Sequence, residues 1–222
     1  MLSGSLFKRH EVTVNCLDVG QLLTNCYILQ YNDKHTLLID PGAQPDRIIN
    51  MLKEKHVNKG FLDIYLTHGH SDHIGAVPQI CDEYPDAKIY ASAKDKPLYL
   101  NPHLNLSQYF ESPLKLDQYL DRFVYVKDGD VLPLSKNKDT PDEFTVIETP
   151  GHTPGSTTLH VTNKSQSLLF TGDTLFKHSV GNTELPLGDF HTLMKSIMEK
   201  LYPLKKAEVF PGHGEETTLR AE

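Results

Sequence analysis

The chain has no tryptophan and only three cysteines, Cys16, Cys26 and Cys81, none of them in a C-x-x-C pair. An odd, scattered set excludes a disulfide framework and reads as reduced thiols in a cytosolic protein. Two of the three sit in strand-like sequence, where cysteine behaves as a small hydrophobe. Long apolar runs are missing too. Nothing approaches the roughly 20 residues that span a bilayer, and the first ten residues hold no apolar core for a signal peptide. Positive charge is in deficit, with 22 Lys and Arg against 29 Asp and Glu and a net charge of -7. The basic residues form no stripe, which argues against a nucleic-acid partner, although bound metal cations would add local positive charge. There is no low-complexity segment and no short-period repeat.

What is present is ordinary in bulk and unusual in one residue. The 222 residues suit one domain, or two small halves sharing a core, and 38% hydrophobic with 23% charged residues is normal for a globular protein. Histidine is abundant, at twelve. Periodicity and turn signals predict strands at 12–19 and 26–31, with Thr24 and Asn25 in the turn between, and at 36–39, stopped by Asp40-Pro41-Gly42. A helix is expected over 45–55, a strand over 61–66, a helix over 74–83 and a strand over 87–91. The second half repeats this outline: strands at 123–126, 131–134, 144–147, 157–161, 167–170 and 208–210, and an amphipathic helix over 190–201. Segment 94–122 lacks a clean period. It reads as short helices and loop, either covering a cleft or packed as a surface connection. Alternating strands and helices point to sheets covered by helices.

His68, His70, Asp72 and His73 form an H-x-H-x-D-H cluster. Imidazole nitrogens and carboxylate oxygens are the donors that borderline divalent metals prefer. Alternate residues of a tight loop can face one point, and a helix start at Asp72 would carry Asp72 and His73 to a neighbouring one. A polar surface loop is the plain alternative. Three further donors also follow apolar strands: His152, Asp173 and His213. Taken singly each is an ordinary turn residue. If the preceding strands are parallel neighbours, all four loops open on one edge. Small residues stand beside each donor, at Gly69, Gly151, Gly172, Gly212 and Gly214.

The series Thr67-His68-Gly69-His70-Ser71-Asp72-His73, Thr149-Pro150-Gly151-His152-Thr153-Pro154-Gly155, Phe170-Thr171-Gly172-Asp173-Thr174-Leu175-Phe176 and Pro211-Gly212-His213-Gly214 resembles the metallo-β-lactamase superfamily. The likeness runs from Asp40 to His213 and is greatest to short bacterial glyoxalase II-like hydroxyacylglutathione hydrolases. It implies a four-layer αββα sandwich, an α/β fold, with two divalent metal ions at one edge: zinc, or else iron or manganese. It implies that His68, His70 and His152 bind one metal, that Asp72, His73 and His213 bind the other, and that Asp173 bridges them. Asp40 is then placed to orient a ligand from behind, its alternative being a simple Asp-Pro-Gly turn.

The chemistry implied is attack of a metal-bound hydroxide, oriented by Asp72, on a small acyl thioester such as S-lactoylglutathione. No G-x-S-x-G motif offers a protein nucleophile. Competing readings are a mononuclear-iron persulfide dioxygenase, a lactonase or other ester hydrolase, and a metal-binding scaffold without turnover. A β-lactamase or RNA-processing nuclease is less favoured. Gly181 and Asn182 are expected at the substrate, but relatives usually carry Arg or Lys where Asn182 stands, and Glu184 adds negative charge. The segment 101–107 resembles one found in short bacterial members and is expected near the pocket. The sequence ends nine residues after His213, so a single domain over 1–222 of two similar halves is expected, without a C-terminal helical domain.

Overall fold

The computed structural model describes residues 12–31, 35–110, 112–134 and 143–222; the first ten residues, read above for a signal core, lie outside these. Strands β1 (Thr13–Val19), β2 (Thr24–Gln30), β3 (Thr36–Ile39), β4 (Leu62–Tyr65), β5 (Ile89–Ser92) and β6 (Phe123–Val126) form one sheet in chain order. The first three are antiparallel neighbours and β3 to β6 are parallel. The remaining strands are β7 (Glu143–Glu148), β8 (Thr157–Thr162), β9 (Ser167–Gly172), β10 (Leu175–Phe176), β11 (Ser179–Val180), β12 (Glu208–Pro211) and β13 (Thr217–Thr218). A second sheet has the order β13-β12-β9-β8-β7, and β10 and β11 make a small hairpin. Helices α1 (Pro45–Glu54), α2 (Ser71–Ile74), α3 (Val77–Glu83), α4 (Lys96–Leu100) and α5 (Phe190–Ser196) complete the fold.

Strand periodicity explains the layering. Successive side chains of a strand face opposite ways, and here both faces are buried. From β2, Cys26 and Ile28 join Leu38, Ile64 and Ile89 against Ile48 and Leu52 of α1 and Ile80 of α3. The alternate residues Tyr27 and Leu29 join Leu37, Ile39, Tyr65 and Tyr90 and meet Phe144, Val146, Leu159 and Phe170 of the second sheet. The outer face of that sheet, with Leu169 and Val209, packs on Leu193 and Ile197 of the last helical segment. The result is the expected αββα sandwich, with the main core between the sheets. No helix among the described residues is long and apolar enough to cross a membrane.

Several elements differ from the sequence reading for identifiable reasons. Thr24 and Asn25 belong to β2, paired with Val19 and Asp18; the turn is made by Gly20 and Leu23, both at positive φ. The expected helix over 74–83 is two helices separated at Gly75 and Ala76, with Pro78 in the first turn of α3. Residues 131–134 form only an isolated bridge, Val131 with Thr145; Pro133 has no N–H to extend it. The helix over 190–201 passes from α into a π turn at Ile197–Leu201. Segment 94–122 does consist of short helices and loop.

The four loops that carry the candidate ligand residues do open together, but they come from both sheets. The loop after β4 belongs to the first sheet, those after β7, β9 and β12 to the second. There β9 and β12 are parallel neighbours, and β7 runs with β9 because both are antiparallel to β8. Asn25 ties the two edges: its N–H reaches Gly212 O at 2.8 Å, and its amide nitrogen reaches Pro211 O at 3.0 Å and Gly214 O at 2.9 Å. Gly42 sets another close approach. A Cβ there would lie 1.6 Å from the Asp72 carbonyl oxygen. Overpacking of this kind costs about 1–3 kcal/mol, so Gly42→Ala is expected to lower the urea midpoint by an equivalent amount; an unchanged midpoint would show that α2 has room to move.

Candidate metal centre

Local conformation divides the H-x-H-x-D-H cluster in two. His70 is extended and is the residue before α2. Along an extended chain His68 and His70 share a side, whereas Asp72 and His73 lie on the helix and turn elsewhere. The structure therefore makes two inner groups, and a third set, Asp40 with His68 and His73, meets the same 4.8 Å limit. Ligand atoms of His68, His70 and His152 lie within 4.8 Å of one another, as do those of Asp72, His73 and His213. Asp173 stands between: Oδ1 is 3.2 Å from His73 Nε2 and 3.6 Å from His213 Nε2, and Oδ2 is 3.6 Å from His152 Nε2.

An inventory of protons shows what these groups are built to face. A carbonyl or carboxylate oxygen can only accept, so a ring nitrogen beside it carries the hydrogen. His73 Nδ1 donates to Asp40 Oδ2 at 2.8 Å, His152 Nδ1 to Asn182 O at 2.7 Å and His213 Nδ1 to Leu22 O at 3.1 Å. Thr67 Oγ1 gives its hydrogen to Asp40 Oδ2 at 2.6 Å and so accepts from His68 Nδ1 at 3.1 Å. In the neutral rings all four Nε2 atoms are then bare and face inward. His70 Nδ1 meets His152 Nε2 at 2.9 Å. His68 Nε2, His70 Nε2 and Asp173 Oδ1 are buried with no hydrogen-bond partner. The one remaining ring proton, that of His70, lies on Nδ1 toward His152 or on the unpartnered Nε2; the other nitrogen and carboxylate oxygen atoms converge as lone pairs, a set that fits divalent cations.

Electrostatics agrees. Burial pushes His70 down to about 3 and His68 well below its usual value, with neighbouring imidazoles adding to the second effect. Burial likewise lowers His152. These three rings resist protonation and keep their lone pairs. His73 goes the other way: burial opposes its charge, but Asp72, Asp173 and Asp40 together outweigh burial and raise it. The second group thus demands positive charge. Burial also works against an ionised Asp72, yet His73 and His213 hold its carboxyl below the usual range.

Residues behind the ligands fix their aim. Asp40, at φ 50°, is buried. Its Oδ1 accepts Thr67 N–H at 2.8 Å, so one carboxylate orients both His68, through Thr67, and His73. Asp95 was not singled out from the sequence, where nothing marks it. It is fully buried and accepts from Gly69 N at 2.9 Å, Gly155 N at 2.6 Å and Thr153 Oγ1 at 2.7 Å. Burial raises its carboxyl to about 6 against these three donors. Asp95 thereby clamps the loop of His68 and His70 to the loop of His152. Thr24, expected in a turn, instead donates from Oγ1 to Asp72 Oδ2 at 3.0 Å.

A family profile for the metallo-β-lactamase superfamily matches residues 19–213. The chain belongs to that superfamily. Hydroxyacylglutathione hydrolase GloC of Haemophilus influenzae is 32% identical over 212 residues, 95% of each chain. Among solved structures, the B3 metallo-β-lactamase BLEG-1 is similar at TM-score 0.82 and 32% identity, covering 95% of this chain and 96% of that one. TTHA1623 in a di-iron-bound form is similar at 0.78 and 30% identity, covering 94% and 96%.

Within this superfamily chain, Gly181 and Asn182 sit behind His152. A Cβ on Gly181 would lie 1.8 Å from Asp173 O. Asn182 holds His152 through its carbonyl and turns its side-chain oxygen to Glu184 N at 2.8 Å. Asp40→Asn tests the orienting network, since an amide must point a donor at Thr67 or His73, which already donate. Metal affinity, read by chelator competition, is expected to fall about 10–100-fold; unchanged affinity would show that His73 needs no such partner. Asp95→Asn sets an amide against three donors. It is expected to cost about 1–3 kcal/mol in denaturant stability and to weaken the first histidine group more than the second, seen in the stepwise metal isotherm; equal weakening would reduce Asp95 to a general packing role.

Proposed function

We propose that the protein is a di-metal hydrolase of a small acyl thioester, of the S-lactoylglutathione kind. His68, His70 and His152 would hold one cation and Asp72, His73 and His213 the other, with Asp173 shared. The observation that carries this reading is the set of inward nitrogen and carboxylate lone pairs on both sides of Asp173. Nitrogen and carboxylate donors suit zinc, with iron or manganese as the alternatives. When bound, two such cations supply Lewis acidity, which lowers the pKa of a water to about 7 and polarises a carbonyl.

The chain's own residues do the positioning. Asp72 lines a cavity beside the cluster, and its depressed carboxyl remains an acceptor at neutral pH. It is therefore the group to take a hydrogen bond from an attacking water and aim it. Thr24 Oγ1, at 3.0 Å, donates to Asp72 Oδ2 and holds it in place. The likeness to a hydroxyacylglutathione hydrolase supports a thioester substrate. A thiolate leaves readily and needs no strong acid. The free thiols of Cys16, Cys26 and Cys81 fit a reducing, cytoplasmic setting, and the acidic charge fits a small-molecule rather than a nucleic-acid partner.

The test is a substrate panel with zinc-, iron- and manganese-loaded protein: S-lactoylglutathione, a lactone, a β-lactam, and a glutathione persulfide with oxygen uptake recorded. Thioester hydrolysis at two metal equivalents is expected, without oxygen consumption. Asp173→Ala should lose on the order of a hundredfold or more in kcat/KM together with one metal equivalent. Oxygen uptake at one iron per chain, or an Asp173→Ala variant that keeps full turnover, would sink the proposal.

A further inference from the structure

A cavity of about 470 Å³ opens beside Asp72, a size that accommodates a small ligand. Its apolar walls come from four places in the chain: Leu22 at the hairpin tip, Ala43 and Pro45 before and at the start of α1, Pro78 in α3, and Phe110, Pro113 and Leu114 from the irregular segment. Leu22 and Phe110 are 52% and 43% exposed, apolar surface left for something to cover. The polar lining is neutral, chiefly Gln21, Gln44 and Gln79. Among the described lining residues Asp72 alone bears a charge; none is lysine, arginine or histidine.

The walls are braced rather than loose. Buried Asn105 gives its amide nitrogen to Leu98 O at 2.9 Å and Leu114 O at 3.0 Å, and its carbonyl accepts Ser71 N–H at 2.8 Å. Ser107 Oγ accepts Leu114 N–H at 2.8 Å. The far wall is thereby pinned to the first residue of α2, next to Asp72.

We propose that this cavity binds an uncharged, largely apolar acyl group, so that the substrates are thioesters with a neutral alkyl acyl chain. The assignment rests on the hydrolase reading above for the position of the reacting carbonyl, at the Asp72 end. A carboxylate further along the cavity would lose its hydration and find no cation among the described lining residues. An alkyl chain loses only unfavourable contact with water there. Charged groups of a thiol carrier stay outside.

The experiment holds the carrier constant and neutral. N-acetylcysteamine thioesters of acetyl, butyryl, hexanoyl and adipoyl groups are compared on the metal-loaded protein. From acetyl to hexanoyl, kcat/KM is expected to rise about fourfold per methylene, the increment for burying one CH₂. Adipoyl, which places a carboxylate at the end of the same chain, should fall at least tenfold below hexanoyl. Phe110→Lys and Gln79→Lys, both at exposed positions, should each narrow that gap at least tenfold while the circular dichroism spectrum is kept. Binding of the non-hydrolysable hexyl thioether and its terminal carboxylate counterpart, measured by calorimetry, supplies a second readout. A flat chain-length series, or equal handling of hexanoyl and adipoyl, overturns the assignment. Hexyl thioether binding that both lysine variants weaken, with no thioester turned over, upholds the cavity and overturns the hydrolase reading instead.

Discussion

Nitrogen and oxygen lone pairs crowd one edge of this sandwich, and much of the surrounding structure exists to hold that arrangement. A buried polar atom without a partner costs about 1–3 kcal/mol. His68 Nε2, His70 Nε2 and Asp173 Oδ1 are three such atoms, a large sum against a typical net stability of about 5–15 kcal/mol. Relaxation would relieve it if the rings could flip. Four of the five are prevented from doing so because their outer nitrogens are engaged: His73 by Asp40, His68 by Thr67, His152 by Asn182 O and His213 by Leu22 O. A ligand that binds only the native arrangement stabilises it by mass action. Folding and cation binding are therefore coupled here, and the orienting residues belong to both.

The sandwich supplies the convergence. Period-two strands buried on both faces build a rigid slab whose edge is fixed to within hydrogen-bond tolerance. Donors from two sheets must still register with each other across the central core. Asn25 performs part of that registration by crossing to Pro211, Gly212 and Gly214. Thr67 performs more, accepting Thr157 N–H at its carbonyl, 2.8 Å away. Gly172, at φ 50°, lets β9 pass so close that a Cβ would meet Thr67 Oγ1 at 2.3 Å. Asp95 joins the remaining pair of loops.

How legible this was depends on sequence distance. The H-x-H-x-D-H cluster is local, so its donors could be read at once, and His152, Asp173 and His213 were visible as donors just past apolar strands. The division of the cluster also follows from a local event, the start of α2 after His70. Hidden were facts set by packing. The strand ends lie in two sheets rather than one, and Thr24 is a strand residue bonded to Asp72 because Gly20 and Leu23 take the turn. Asp95 looked like any acidic residue, since its three donors come from residues 26 to 60 positions away. The cavity was equally invisible, as its walls lie near residues 22, 44, 78 and 112.

That last point bears on how chemistry and selectivity are arranged. The donor atoms sit at strand ends and on α2, where displacement would disturb the core. The apolar cavity walls sit on a hairpin tip, the entry to α1, the first turn of α3 and an irregular segment, and none of these apolar residues offers a ligand-type side chain. Asp72 is where the two systems meet, as ligand-type carboxylate and cavity lining at once. Substitutions along the walls can change what fits without altering the inward lone pairs. The same slab then serves proteins as differently described as a hydroxyacylglutathione hydrolase and a B3 metallo-β-lactamase, both about a third identical to this chain. Changing wall side chains on a fixed edge is the cheaper route to a new substrate, because it leaves Asp40, Thr67, Asp95 and the Leu22 carbonyl in place.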